Sequence, residues 1–208
     1  HLLKSYLEQD ISIEFAARLI STINEVITHR VIDLALRIQN EKPPTKFTWL
    51  AIGSQGRQEQ LLMTDQDNAL VFDDVSEDKL DATKNYFLNL SKKINEDLAE
   101  IGFELCPANM MASNPQWCLS VTEWTKQFKR WIVSPDQDNL MLCTIFFDFE
   151  KLYGDKDLVD QLSESIFNSI EKHDIFLNYL GRNALQNPPP LSFFRQFLVE
   201  QSGEHKNQ

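Results

Sequence analysis

The run AIGSQGRQEQLLMTDQDNALVF, residues 51–72, constrains this chain more than any other stretch. It begins at the end of Phe47 to Ile52, an apolar segment that is short, rich in strand formers and stopped by Gly53. That segment reads as a buried strand. Gly53-Ser54, with Gly56 close behind, suits a tight turn whose backbone amides can approach a phosphate. Arg57 and Glu59 follow, and residues 54–63 read as a short helix or turn. Asn68 to Phe72 reads as a second strand that begins near Thr64, with Asp65 and Asp67 two apart at its start. Side chains alternate across a strand, so these two carboxylates are expected to face the same way. Side by side they repel each other unless a cation lies between them. Hard oxygen ligands suit Mg²⁺ or Mn²⁺, which bind one or two carboxylates together with substrate phosphates. Two such ions, ~3.5–4 Å apart, would clamp the attacking and leaving oxygens of a phosphoryl transfer.

Taken singly, each feature has an ordinary structural explanation. A lone D-x-D at a strand edge is usually a solvated turn, G-S-x-G is a common bend, and Arg57 and Glu59 alone are surface residues. Their order behind one buried strand is what points to chemistry.

The rest of the chain supplies the frame. Apolar residues recur at helical spacing from about Ile11 to Ile38 (Phe15, Leu19, Ile23, Val26, Ile27, Leu34, Ile38), with Asp10 or Ser12 as a cap and Pro43-Pro44 beyond. Ser76 caps a second long helix with Glu77 and Asp78 in its first turn; its stripe is Leu80, Phe87, Leu90, Ile94, Leu98 and Ile101, and Gly102 ends it. Phe103 to Cys106 is a candidate third strand. From about residue 120 the patterns are helical: 121–133, then from Ser134-Pro135 to Gly154, then roughly 155–171, 173–186 and 191–201. The expected class is α+β: a small mixed sheet flanked by helices, followed by a helical domain. The expected division is 1–45 for an N-terminal helical segment, 46–118 for the α/β core and 119–208 for the helical unit.

Strand, G-S-x-G-R-x-E, a short spacer, D-x-D, strand: this order resembles the DNA polymerase beta-like nucleotidyltransferase superfamily. Gly56, Arg57, Glu59, Asp65 and Asp67 match its protein-PII uridylyltransferase branch in type and spacing. The string GSQGRQEQ…TDQDNAL is closer still to nucleotidyltransferases found beside CBS-pair and cyclic-nucleotide-binding domains in bacterial signalling proteins. CPANMMASNPQWC (106–118) and IFFDFEKLYGD (145–155) extend the likeness. The resemblance implies a polymerase-beta-like core that binds an NTP at Gly53, Ser54 and Gly56, with Arg57 and Glu59 beside it. It implies a metal held by Asp65 and Asp67, and transfer of a nucleoside monophosphate to a protein or small-molecule acceptor. Neighbouring regulatory domains and a cytoplasmic location follow from the same likeness. Members of the superfamily bring a third carboxylate from a later strand. Glu104 is the only acid on the expected third strand, and Asp148, in a helix apolar almost all round, is the other candidate. For Asp148 a structural salt bridge, with Arg57 or a Lys, is the competing role. Glu150 stands where the related family often has a basic residue. The alternative to an enzyme is a catalytically inactive nucleotide-binding module that passes a ligand signal between domains; a third reading is a helical interaction domain with a vestigial motif.

Composition narrows the partners. A formal charge of −11, from 31 acids against 20 bases, argues against a nucleic-acid face. Cys106, Cys118 and Cys143 lack any C-x-x-C pair, which points to buried thiols in a reducing compartment rather than a disulfide framework or a zinc site. His1, His29, His173 and His205 are far apart in sequence and suggest no metal cluster. Trp117, Trp124 and Trp131 recur every seven residues, which reads as a core or docking stripe rather than a base-stacking platform. No apolar run approaches the ~18–20 residues of a membrane span. A start at His1 and an end at GEHKNQ suggest a piece excised from a longer protein.

Overall fold

The computed structural model describes residues 13–39, 41–60 and 65–186. Its elements run α1 (Ile13–Gln39), β1 (Phe47–Ala51), a four-residue helix α2 (Gly53–Gly56), β2 (Asp65–Gln66), β3 (Asn68–Phe72), α3 (Glu77–Glu100), β4 (Glu104–Leu105), β5 (Cys118–Ser120), α4 (Val121–Val133), α5 (Gln137–Phe146), β6 (Glu150–Gly154), α6 (Lys156–Ile170) and α7 (Asp174–Gln186). The class is α+β, as expected.

Four strands form one mixed sheet in the order β5-β3-β1-β6. β1 pairs antiparallel with β3 and β6, and β3 pairs parallel with β5. Every residue of β1 and β3 is buried, which is what a continuous apolar run such as FTWLA or NALVF demands. Alternation then sends neighbouring residues to opposite faces. Leu50, Ile52, Ala69 and Val71 join a core with Trp124, Phe128, Trp131 and Phe146 from α4 and α5. Phe47, Trp49, Leu70 and Phe72 join a second core with Ile32 of α1 and Phe87 and Ile94 of α3.

Three expectations need correction. The helix expected to run through to Gly154 stops at Phe146, and Glu150–Gly154 returns to the sheet as β6, the partner of β1. The region after residue 118 is therefore not purely helical. Nor does the stripe expected to bury α1 do so: Phe15, Ile23, Val26, Leu34 and Ile38 are exposed, while Ala16, Ile20, Ile32 and Ala35 pack inward. The helix has two apolar faces, and the one with small residues can approach its neighbours closely. Ile101, at the end of the α3 stripe, is likewise exposed. The proposed caps of α1 and the expected helix at 191–201 lie outside the described residues.

The tryptophan repeat is core, but it does not lie on one helix. Trp117 precedes β5, and only Trp124 and Trp131 share α4; all three are buried around Phe146. A capping box sets the start of α4, with Ser120 Oγ accepting from the Glu123 amide and Glu123 accepting from the Ser120 amide. All three cysteines are buried free thiols. His29 packs on the Tyr153 ring, and His173 Nδ1 lies 2.7 Å from the Ser169 carbonyl. No helix among the described residues is long and apolar enough to cross a membrane.

Candidate active site

The chain leaves β1 through Gly53, whose φ of +56° is open to glycine at little cost, and makes the single turn of α2. Gly56 is required for a different reason: an added Cβ would lie 1.9 Å from the Asp148 carbonyl oxygen. The bend is thus held against the segment between α5 and β6 by a backbone approach that no larger residue permits.

Arg57 follows in the same contact. Its Nε donates to Glu59 at 2.8 Å and its Nη1 to Asp148 at 2.9 Å, and these two carboxylates, Glu59 foremost, raise its pKa. Asp148 lies just past the end of α5, not inside a helix as the sequence suggested, and is partly exposed. Its partner is Arg57, one of those named from sequence. Glu150 opens β6 with an exposed side chain and has no place in this group.

Asp65 and Asp67 do not share one strand. β2 leaves the sheet to pair in parallel with β4, Asp67 is the break, and β3 starts at Asn68. The alternation survives the break. Gln66 and Asn68 turn inward and are buried, while Asp65 and Asp67 point the other way, half-exposed. The inward pair is fixed by an amide network centred on Asn95 of α3. Asn95 Nδ2 donates to Gln66 Oε1 at 2.7 Å, and Gln66 Nε2 donates to the carbonyls of Asn95 and Phe103. Asn68 Oδ1 accepts from the Ala112 amide at 2.8 Å. Buried amides with satisfied partners hold one orientation strongly, because any rotation leaves a desolvated polar group unpaired. Fixing residues 66 and 68 fixes the direction of 65 and 67.

The outward carboxylates meet a thiol. One ligand atom each from Asp65, Asp67 and Cys106 lies within 4.8 Å of the others. Cys106 follows β4, the strand paired with β2, so the same ladder that splits off Asp65 delivers the sulfur. Burial raises the Asp67 pKa; a hydrogen bond from Cys106 acts against that rise and the charge of Asp65 adds to it. Burial also raises the Cys106 thiol, with Asp67 adding to the effect. Glu104 is the direct register partner of Asp65 but is exposed and does not join the group. Sequence reading missed Cys106 and Asn95. The only available signal for the cysteine was its two-residue offset from Glu104, on the same face of the expected third strand.

These groups line a cleft of about 770 Å³, which Gly53, Ser54 and Arg57 close on the β1 side and Met141, Thr144 and Ile145 of α5 close on the other. A second cleft, about 690 Å³, adjoins it across Met141 and Thr144. It runs between α5 and α7, with Asp138, Phe147, Leu180 and Asn183 on its walls. The two clefts share the Met141 and Thr144 wall, the first lined by the acids and the thiol and the second by mixed polar and apolar side chains.

Two family models match. Residues 1–138 match the family described as "Putative nucleotidyltransferase DUF294". The chain belongs to this family. Residues 174–208 match a model described as "Putative nucleotidyltransferase substrate binding domain", whose described part is α7. Among curated proteins and solved structures there is no match.

Proposed function

We propose that the chain carries a metal-dependent nucleotidyltransferase site that moves a nucleoside monophosphate from an NTP to a protein or small-molecule acceptor, with release of pyrophosphate. The observation that carries this reading is the convergence of the Asp65 and Asp67 carboxylates beside the Gly53-Ser54 bend, in one cleft. Family membership supports the reaction class. The donor set fits a divalent cation: the two half-buried acids and the Cys106 thiol each bring one ligand atom within 4.8 Å of the others.

Asp65 and Asp67 would hold the ion, either Mg²⁺ or Mn²⁺. When bound, it supplies charge neutralisation at the transferred phosphorus, the main term in phosphoryl transfer. The Ser54 hydroxyl and the first amides of α2, which lack acceptors within a four-residue helix, would take phosphate oxygens. Arg57 is held by Glu59 and Asp148 at the mouth of the cleft, where its guanidinium neutralises charge without leaving those carboxylates. The amide network behind Gln66 and Asn68 keeps both ligand carboxylates aimed outward, so little reorganisation accompanies binding. The α5–α7 cleft is the place for the acceptor: it adjoins the cation site, and its Leu180 and Asn183 belong to the segment matched by the substrate-binding model.

One observation favours a second reading: Glu104 stands outside the group, and among the described residues a thiol, not a third carboxylate, completes it. That composition suits a module that binds nucleotide and passes the signal to neighbouring domains without turnover. The likeness to protein-PII uridylyltransferases, the neighbouring CBS-pair and cyclic-nucleotide-binding domains and a cytoplasmic location belong to the same proposal. NTP titration with and without Mg²⁺, followed by a pyrophosphate-release assay across acceptors, separates the readings. Metal-dependent binding with turnover supports the enzyme, binding without turnover supports the module, and no metal-dependent binding removes both.

A further inference from the structure

We infer that Cys106 is a thiolate ligand of the Asp65–Asp67 cation site, and that this site takes a thiophilic divalent ion, of the Co²⁺, Zn²⁺ or Cd²⁺ kind, more tightly than Mg²⁺. The inference rests on the proposed cation site and names which ion class that site selects.

Three observations carry it. First, the ligand atoms of Asp65, Asp67 and Cys106 all lie within 4.8 Å of one another. Three ligands at ~2.0–2.3 Å from one ion stand about 3.3–4.0 Å from one another, so a closing shift of about 1 Å completes the set. Second, the sulfur is placed there by the fold. Cys106 directly follows β4, whose register with β2 sets Glu104 opposite Asp65 and so carries Cys106 alongside Asp67. Third, the turn after Cys106 serves the sulfur. Asn109, at φ +55°, returns its amide to the Cys106 carbonyl at 2.9 Å, and the amides of Ala108 and Met110 donate to the thiol. Amides aimed at a sulfur stabilise the negative charge that it carries as a ligand.

The chemistry of the donors then decides the ion. Mg²⁺ asks for a near-octahedral shell of hard oxygens and gains little from sulfur. Thiolate with carboxylate suits softer ions, and affinity for them rises along the first-row series. When the sulfur–metal bond forms, the thiol proton passes to solvent, one per ion bound, and no electron moves. Burial keeps Cys118 and Cys143 protonated, with pKa values pushed up to about 12, so neither competes. The spacing of three lone cysteines in the sequence could not show this, because the other two ligands are acids some forty residues upstream.

The test is a Co²⁺ titration of the full chain followed by absorbance. A near-ultraviolet sulfur-to-cobalt charge-transfer band is expected, and Mg²⁺ displaces it only in large excess. Cys106→Ser removes the band and lowers Cd²⁺ affinity by at least ~10–100-fold, the loss typical of removing even an outer-shell partner. Mg²⁺ affinity changes little. Calorimetry in two buffers of different ionisation enthalpy shows one proton fewer released per Cd²⁺. Cys118→Ala and Cys143→Ala, checked for folding by circular dichroism, keep the band. Co²⁺ bound without the band, or a band that survives Cys106→Ser, overturns the inference while leaving the Asp65–Asp67 site in place. Failure of every divalent ion to bind overturns the site and the inference together.

Discussion

Two patterned regions stand out in this sequence: the tryptophan repeat at 117, 124 and 131, which reads as a core or docking stripe, and the G-S-x-G…D-x-D run at 53–67, which reads as chemistry. Folded, they behave as opposites. The tryptophans close around Phe128 and Phe146 with almost no exposed surface, and the buried Nε1 of Trp131 has no hydrogen-bond partner. That is a region organised for packing, at the cost of a polar atom. The D-x-D ledge is organised the other way round. Its inward residues are tied down, with both side-chain amide atoms of Gln66 hydrogen-bonded and Asn68 Oδ1 accepting from Asn95 and Ala112, and its outward residues are like charges held close together. A core tolerates an unmet polar group where apolar area outweighs it. A binding site satisfies its support and leaves its working groups in tension.

The contrast can be broken or sharpened by four variants, ordered by their expected effect on stability. Trp131→Ala should cost ~3–5 kcal/mol in denaturant unfolding, the range for truncating a large buried aromatic. A cost under 1 kcal/mol (a roughly fivefold change in the folded ratio) would show that the aromatic cluster is not the main core. Asn95→Ala should cost about 2 kcal/mol, since it strands Gln66 Oε1 and the Ser113 amide in the interior. It should also weaken Mn²⁺ binding, because Asp65 and Asp67 lose their support; stability lost with unchanged metal affinity would reduce Asn95 to a purely structural part.

A third substitution probes the join between the regions. Asp74, just past β3, accepts from the Thr122 amide and hydroxyl at the start of α4. Burial pushes its carboxyl up, but the hydrogen bonds from Thr122 and Ser120, with Lys126 nearby, outweigh this and hold it below the ordinary range. A depressed folded pKa means that the stabilisation is complete above the unfolded value of about 3.9 and is lost as pH falls through the folded value. Asp74→Ala should therefore cost about 0.5–1 kcal/mol at pH 7. The gap to wild type should close as unfolding is repeated at pH values descending below about 4; a gap that widens in acid would contradict the assignment.

The smallest effect on stability belongs to the largest effect on binding. Asp65→Asn with Asp67→Asn removes the Asp67 carboxylate, which burial disfavours, and the Asp65 charge that repels it, so the melting temperature should hold or rise slightly. Metal-dependent nucleotide binding, read by calorimetry, should vanish. A variant that unfolds instead would place these acids with the core rather than the site.

Much of the arrangement was legible because it depends on local period. FTWLA and NALVF announce strands buried on both faces, and the two-residue repeat sends Asp65 and Asp67 the same way even across a strand break. Gly56 stood in the right place for a bend, although the reason, the Asp148 carbonyl against it, was not visible. The partnership of Asp148 with Arg57 could be named as one option because a carboxylate near a buried face needs a cation, and the chain has few nearby. α1 was misread because both its faces are apolar, and β6 because EKLYG, at the edge of the sheet, carries only one strongly buried side chain, Leu152.

By itself, then, the sequence determined the α+β class, the two central strands, the bend and the direction of the paired acids, all of which follow from residue type and spacing within some twenty positions. Tertiary structure alone decided which face of α1 is buried, that β6 completes the sheet, that Asn95 braces the acids and that Cys106 joins them. The physical reason is the same in each case. These outcomes depend on contacts between segments far apart in the chain, 29 residues for Asn95 and Gln66, and no local periodicity encodes which distant partner a buried amide or thiol will meet.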